Sequence, residues 1–198
     1  EMIKVMKETK VELTAIYDAS KKYHKQQQEA AEQFEKLSSS FSRLTSSDSS
    51  ARANMLELSP MVSKAATAQV EFLNTFKVNV VDVVNSILEI QQKQAEKSWK
   101  QVEETRLSYD AASQKFKSVL ENTKKSTQED IDRAKQNADN AESAYQKAKE
   151  NCTEACRELQ KHKDQFAHEK VAALAQALGE SGANFCQAAQ TCLEATSK

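Results

Sequence analysis

The scarcity of glycine and proline constrains this chain more than any other feature. Its 198 residues include 2 Gly and 1 Pro, whereas average usages of about 7% and 5% would supply roughly 14 and 10. Because turns are built largely from these two residues, the chain can form few turns. Sandwiches, barrels and wound α/β folds are therefore excluded. A hydrophobic content of 39% also argues against a disordered chain. A small number of very long helices remains.

Helix-breaking signals divide the chain at three places. Residues 38–50 include eight Ser, and Ser59 with Pro60 suits an N-cap and a first helical position. Ser126 and Glu129 have the spacing of a capping box. We predict one domain over residues 1–198, with helices at about 3–45, 60–122 and 127–196. Residues 51–58 form either a lead-in turn or an earlier start of the second helix.

Heptad spacing in the predicted helices indicates coiled-coil packing. In the second helix the apolar positions are Val80, Val83, Ile87 and Ile90, after which the pattern slips by one residue and resumes at Ala95, Trp99 and Val102. Such a slip predicts a local rotation or gentle bend. The short link near residues 122–126 makes the second and third helices antiparallel neighbours. The seam of the third helix is rich in alanine: Ala134, Ala138, Ala141 and Ala148.

One end of the predicted bundle carries more apolar residues than three helices can bury. Residues 72–90 place apolar side chains on more than one stripe, and large apolar residues recur after residue 171. Exposed apolar area of this kind predicts a partner chain, and a symmetric homodimer is the simplest arrangement. We predict an interface formed by Phe72, Leu73, Phe76, Val80, Val84, Ile87, Val171, Leu174, Leu178 and Phe185.

The charge balance and the reactive side chains exclude several function classes. With 28 basic and 29 acidic residues the net charge is −1, which argues against nucleic-acid binding. No arrangement of His, Ser, Cys and Asp resembles a catalytic site. Cys152 and Cys156 lie on one helix face, and we interpret them as small core residues, so no metal or other cofactor is expected. Four Cys without a secretory signal pattern favour a reducing, cytoplasmic environment.

Two stretches resemble the BAR domain superfamily. Residues 87–119, ILEIQQKQAEKSWKQVEETRLSYDAASQKFKSV, are similar to that family's middle helix, in which a basic and aromatic run precedes a Tyr-Asp-x-Ala segment. Residues 144–178, AYQKAKENCTEACRELQKHKDQFAHEKVAALAQAL, are similar to its last helix. The resemblance extends over nearly the whole chain.

The resemblance implies a non-enzymatic, all-α module: a curved three-helix coiled coil that dimerises into an elongated crescent with six helices at its centre. It implies binding to curved anionic membranes, with phosphoinositides among the candidate lipids, and a role in scaffolding trafficking, endocytic or cortical assemblies. Small GTPases and cytoskeletal regulators are the candidate protein partners, and the location would be cytoplasmic at the membrane periphery. The lipid-binding residues on the concave face and arm tips would be Lys93, Lys97, Lys100, Lys115, Lys117, Lys124, Lys125, Arg133 and Lys135.

The charge of this region leaves a second interpretation open. Residues 93–135 contain 10 basic and 8 acidic side chains, a small positive excess. A spectrin-like or vinculin-like coiled coil that tethers proteins and never contacts lipid would suit this balance. Lipid contact through the convex face, as in inverse-BAR relatives, is a further alternative.

Overall fold

The computed structural model describes residues 2–44, 52–121 and 126–196, and all of these except Ser126 and Thr127 are helical. The predicted all-α fold of three long helices is therefore confirmed over this part of the chain. The first helix is α1, Met2–Leu44. The second helical run comprises α2 (Arg52–Phe76), a π-helical turn (Lys77–Val81), α3 (Asp82–Ser86), a second π-helical turn (Ile87–Gln92) and α4 (Lys93–Glu121). The third comprises α5 (Gln128–Gln165), a π-helical turn (Phe166–Lys170) and α6 (Val171–Thr196).

The second helical run begins earlier than its strongest local signal. Pro60 lies inside α2 rather than at its first turn, so the earlier start is the correct alternative for residues 52–58. The Ser59 carbonyl accepts a hydrogen bond of 2.8 Å from Ser38 Oγ of α1. This contact joins α1 to α2 at the very position that resembled an N-cap. The expectation that Ser59 caps a helix is wrong.

The slip in the heptad pattern coincides with the π-helical turn Ile87–Gln92. A π-helical turn accommodates an extra residue because its backbone hydrogen bonds span five residues instead of four. As a result, Ile87 and Ala95 are both buried, while Ile90 is 60% exposed and Gln92 only 2% exposed. The prediction that Ile90 belongs to the seam is therefore wrong, and Gln92 takes the inner position.

The start of α5 lies one residue later than predicted. Thr127 Oγ1 donates to Asp130 Oδ2 at 2.7 Å and accepts from the Asp130 backbone N–H at 3.2 Å. The Thr127 backbone N–H also donates to Asp130 Oδ2, at 3.1 Å. Thr127 and Asp130 therefore form the capping box that was expected at Ser126 and Glu129. These hydrogen bonds hold the pKa of the Asp130 carboxyl below its usual value.

The chain divides into two compact units, and the first comprises residues 1–12 and 86–163. Within it, α4 and α5 run antiparallel, and the first residues of α1 pack alongside them. Lys10 Nζ of α1 lies 2.8 Å from a Glu96 oxygen of α4, and Lys163 Nζ of α5 lies 2.8 Å from a Glu12 oxygen. The core between α4 and α5 is formed by Val102, Ala148 and Cys152, with Trp99, Tyr145 and Cys156 packed against it. The interpretation of Cys152 as a core residue is confirmed.

The second unit comprises residues 13–85 and 164–198. Here α2 packs against both α1 and α6. The rings of Tyr23 and Phe76 lie 5.2 Å apart, and Gln69 Nε2 donates to Gln27 Oε1 at 2.8 Å. From the first pair to the second the residue number rises in α1 and falls in α2, so the two helices are antiparallel.

Candidate functional site

Three of the predicted lipid-binding lysines lie on one exposed face of α4. Lys93, Lys97 and Lys100 are exposed, whereas Ala95 and Val102 of the same helix are buried. With 3.6 residues per turn, the three lysines cluster on the side of the helix opposite to those two buried residues. The structure therefore brings them together as the spacing predicts.

The lysines of this face differ in their ion pairs. Lys93 is paired with Glu89 four residues earlier. Lys97 and Lys100 have no carboxylate oxygen within 4 Å among the described residues. Neither has Lys115, which extends the same face about four turns further along α4. Unpaired ammonium groups on one helix face are available for an anionic partner. We define the lysine face as the exposed side of α4 that carries Lys93, Lys97, Lys100 and Lys115.

Acidic side chains reduce the charge of this face without removing it. Glu104 is exposed on the lysine face itself. Glu96 lies at its edge, where Lys10 Nζ and Gln92 Nε2 both donate to its Oε1 at 2.8 and 3.0 Å. The hydrogen bond from Lys10, followed by the one from Gln92, holds the pKa of Glu96 below its usual value. Glu96 is thus ionised at neutral pH and paired with Lys10 of α1, and the charge of Lys100 on the lysine face also lowers its pKa.

The remaining predicted lipid-binding residues are not gathered on the lysine face. Lys117 follows Lys115 by two residues and so lies about 200° further round α4. Arg133 of α5 is paired with Glu129 at 3.1 Å. Lys135, two residues later, lies on a different side of α5. Lys124 and Lys125 lie outside the described residues.

The predicted dimer interface separates into buried and exposed members. Six of its residues are less than 9% exposed within the single chain, so they leave little area for a partner: Phe72, Leu73, Phe76, Val80, Val84 and Ile87. On α6, Val171 and Leu178 are each 48% exposed and Leu174 is half-buried. The Phe185 side chain lies outside what the structure describes.

Further apolar residues of the second unit are exposed and are not among the predicted interface residues, Val78 and Val70 among them. Val78 is 60% exposed, and Val70 is also exposed. Val78 precedes the buried Val80 by two residues, so it must point to another side of the helix. The two-residue spacing of Val78 and Val80 was the sequence signal that one of the two would face away from the core. The interface itself stays a prediction, and it depends on the exposed members of this set.

Trp99 and Cys152 pack in the core between α4 and α5. The Trp99 ring packs against Val102, Ala148 and Cys152. Burial, followed by the neighbouring Cys156, raises the pKa of the Cys152 thiol to about 11. The thiol of Cys152 therefore stays protonated at neutral pH and is a poor nucleophile.

None of the helices in residues 2–44, 52–121 and 128–196 includes a segment with the length and hydropathy that crossing a bilayer requires.

Comparison with known proteins identifies the fold. No family model matches the sequence, and no curated protein matches it. Among solved structures, the N-terminal I-BAR domain of D. discoideum IBARa superposes with a TM-score of 0.55 at 16% identity, covering 99% of this chain and 89% of that one. The Hof1p F-BAR domain superposes with a TM-score of 0.53 at 10% identity, covering 99% and 86%. This chain has the fold of the BAR domain superfamily.

Proposed function

We propose that this chain is a non-enzymatic membrane-curvature module that binds anionic lipid surfaces through the lysine face of α4. The observation that carries the proposal is a set of exposed lysines, Lys97, Lys100 and Lys115, that have no ion pair with any described residue, on a fold shared with I-BAR and F-BAR domains. Each basic residue close to an anionic bilayer contributes about 1 kcal/mol. Three of them on one protomer, doubled in a dimer, give reversible attachment.

Dimerisation is the second part of the proposal. The exposed apolar side chains Val78, Val171 and Leu178 all belong to the second unit. The first unit also exposes apolar side chains, among them Val11 and Leu107, so the choice of the second unit rests on the predicted interface residues Val171 and Leu178. Exposed apolar area of this kind favours a self-complementary contact between two copies. A dimer would double the number of lysine faces that meet the same membrane.

Vesicle co-sedimentation tests the lipid contact. The double variant Lys97→Glu/Lys100→Glu is expected to lose most binding to phosphatidylserine-containing vesicles, because two attractions become repulsions. The matched control is Lys7→Glu/Lys147→Glu, which makes the same change of net charge at two exposed lysines on α1 and α5. Equal loss in both variants would contradict a localised contact. No binding by the unchanged protein would leave a lipid-independent coiled coil as the function.

Sedimentation equilibrium tests the dimer. The unchanged chain is expected at twice its mass of 22.1 kDa, and Val171→Glu/Leu178→Glu is expected to sediment as a monomer. Val11→Glu is the control, because Val11 is 70% exposed but lies in the first unit. A monomeric unchanged chain at micromolar concentration would refute the dimer. Independently of the oligomeric state, electron microscopy of vesicles with bound protein would show the direction in which the membrane curves.

A further inference from the structure

An exposed leucine interrupts the lysine face of α4. Leu107 is 62% exposed, and it follows Lys100 by seven residues and precedes Lys115 by eight. Residues at these spacings share one side of a helix. Ala111, one turn after Leu107, is exposed on the same side. Along the lysine face, Leu107 and Ala111 therefore form an apolar segment with Lys100 and Glu104 on one side and Lys115 on the other.

The position of Leu107 separates it from the core of its own unit. Val102, five residues earlier, is buried against Ala148 and Cys152. Five residues correspond to about 500° of helical rotation, which places Leu107 roughly 140° away from Val102 around the axis. Leu107 cannot pack into that core without unwinding α4.

The charges around Leu107 indicate what kind of surface would cover it. Lys100 and Lys115 have no ion pair among the described residues, and about 22 Å of helix separates them. Lysine side chains can bury their methylene stems while their ammonium groups remain at a polar surface. A helix that lies in a membrane interface has this pattern, with apolar side chains at the acyl boundary and lysines at the phosphates. A protein partner would need both an apolar pocket and two anionic groups at this spacing, whereas an anionic bilayer supplies both everywhere.

We infer that Leu107, with Ala111 beside it, inserts at the acyl boundary of an anionic bilayer while Lys100 and Lys115 hold lipid phosphates on either side. This inference rests on the proposed lipid contact through the lysine face, and it adds an apolar contribution to that contact. Glu103 and Glu104, both exposed, lie between Lys100 and Leu107 within about 60° of Leu107 around the axis, and exposed Asp110 follows Leu107 by three residues. These three carboxylates oppose the insertion.

The contribution of Leu107 to vesicle affinity can be calculated from its exposed area. Burying the exposed part of a leucine side chain corresponds to about a five- to twentyfold gain in affinity. Leu107→Ala, which keeps one methyl group, is expected to weaken vesicle binding by about fivefold. Because Leu107 makes little contact with the core, the variant keeps the melting temperature of the unchanged protein. Glu104→Gln is expected to strengthen binding.

Tryptophan fluorescence locates the side chain directly. The chain has a single tryptophan, Trp99, so Trp99→Phe supplies a dark background into which Leu107→Trp is introduced. The control places the tryptophan at exposed Ser143 of α5 instead. With vesicles of phosphatidylserine and phosphatidylcholine, the tryptophan at position 107 is expected to shift to shorter wavelength. Phosphatidylcholine brominated on its acyl chains is expected to quench it, while the tryptophan at position 143 stays unchanged.

The outcomes separate this inference from the proposed function. The insertion alone would be overturned by three results together. Binding would depend on Lys97 and Lys100, a tryptophan at position 107 would stay in water, and the Leu107→Ala variant would keep full affinity. Absence of binding to any anionic vesicle would overturn both the insertion and the lipid contact.

Discussion

The Gln92→Met substitution measures the cost of one buried polar atom. Gln92 is 2% exposed in the π-helical turn Ile87–Gln92. Its Nε2 donates to Glu96 Oε1 at 3.0 Å, whereas its Oε1 is buried without a hydrogen-bond partner among the described residues. Methionine has nearly the same length and no branch, so it fills the same space without the unpaired oxygen.

The expected gain is about 1 kcal/mol. A buried acceptor without a partner costs about 1–3 kcal/mol, and methionine removes that cost. The substitution also removes one hydrogen bond to Glu96. Glu96 keeps the Lys10 ammonium at 2.8 Å, and its side chain is 34% exposed, so water can replace the lost donor at a cost of about 1 kcal/mol or less. The free energy gained by removing the unpaired oxygen is therefore larger than the free energy lost with the hydrogen bond to Glu96.

Urea and thermal denaturation followed by circular dichroism, at matched protein concentration, provide the assay. For a chain of this size, 1 kcal/mol raises the melting temperature by about 2–4 °C. Gln92→Ala is the control: it removes the same amide but leaves a cavity, and it is expected to destabilise by about 2 kcal/mol or more. If Gln92→Met instead lowers the melting temperature, Oε1 has a partner such as a bound water, and the reasoning is refuted.

Three other predictions concern single side chains. Thr127→Ala removes the N-cap of α5 and is expected to lower the melting temperature by about 2–4 °C, whereas Thr127→Ser retains the hydroxyl and is expected to restore it; equal effects of the two variants would contradict the capping role. The folded-state pKa of Glu96 lies below its ordinary value of 4.5, so the stability that its ionised form contributes is complete above that pH and is lost as the pH falls through the folded-state value. Glu96→Gln is therefore expected to lower the urea midpoint at pH 7, and in acid the midpoints of the variant and the unchanged chain should become equal. A difference between the two midpoints that stays constant with pH would contradict the lowered pKa of Glu96. Cys152, with a pKa of about 11 and 1% exposure, is expected to react with a thiol reagent in the folded chain far more slowly than exposed Cys186, as mass spectrometry of the labelled peptides would show.

Local sequence signals predicted the helices well where the deciding contacts are also local. The seam of α5 keeps its heptad spacing: Ala134, Ala138 and Ala148 are buried, and Ala141 is half-buried. The heptad slip near Ile90 located a real irregularity, but it did not indicate which residue would turn inward. That depends on the π-helical hydrogen-bonding pattern of the backbone, which side-chain periodicity alone cannot specify.

Contacts between distant residues account for the errors. Ser59 and Pro60 have the chemistry of a helix start, yet Ser38, 21 positions earlier, binds the Ser59 carbonyl within a continuing helix. The lysine face was predictable because Lys93, Lys97 and Lys100 share one helix. Lys93 and Arg133 form ion pairs that depend on side-chain conformations. A spacing of four residues allows such a pair but does not require it.

The alanine seam also determines where the α4–α5 hairpin opens first. A buried alanine removes far less apolar area from water than a leucine or phenylalanine does. Between Val102 and the end of α4, the facing residues Tyr109 and Phe116 are only half-buried, and Leu120 is 42% exposed. Local unfolding requires least free energy where few apolar contacts are lost. Backbone amides toward the end of α4 and the start of α5 should therefore exchange with deuterium sooner than those around Ala95 and Leu159.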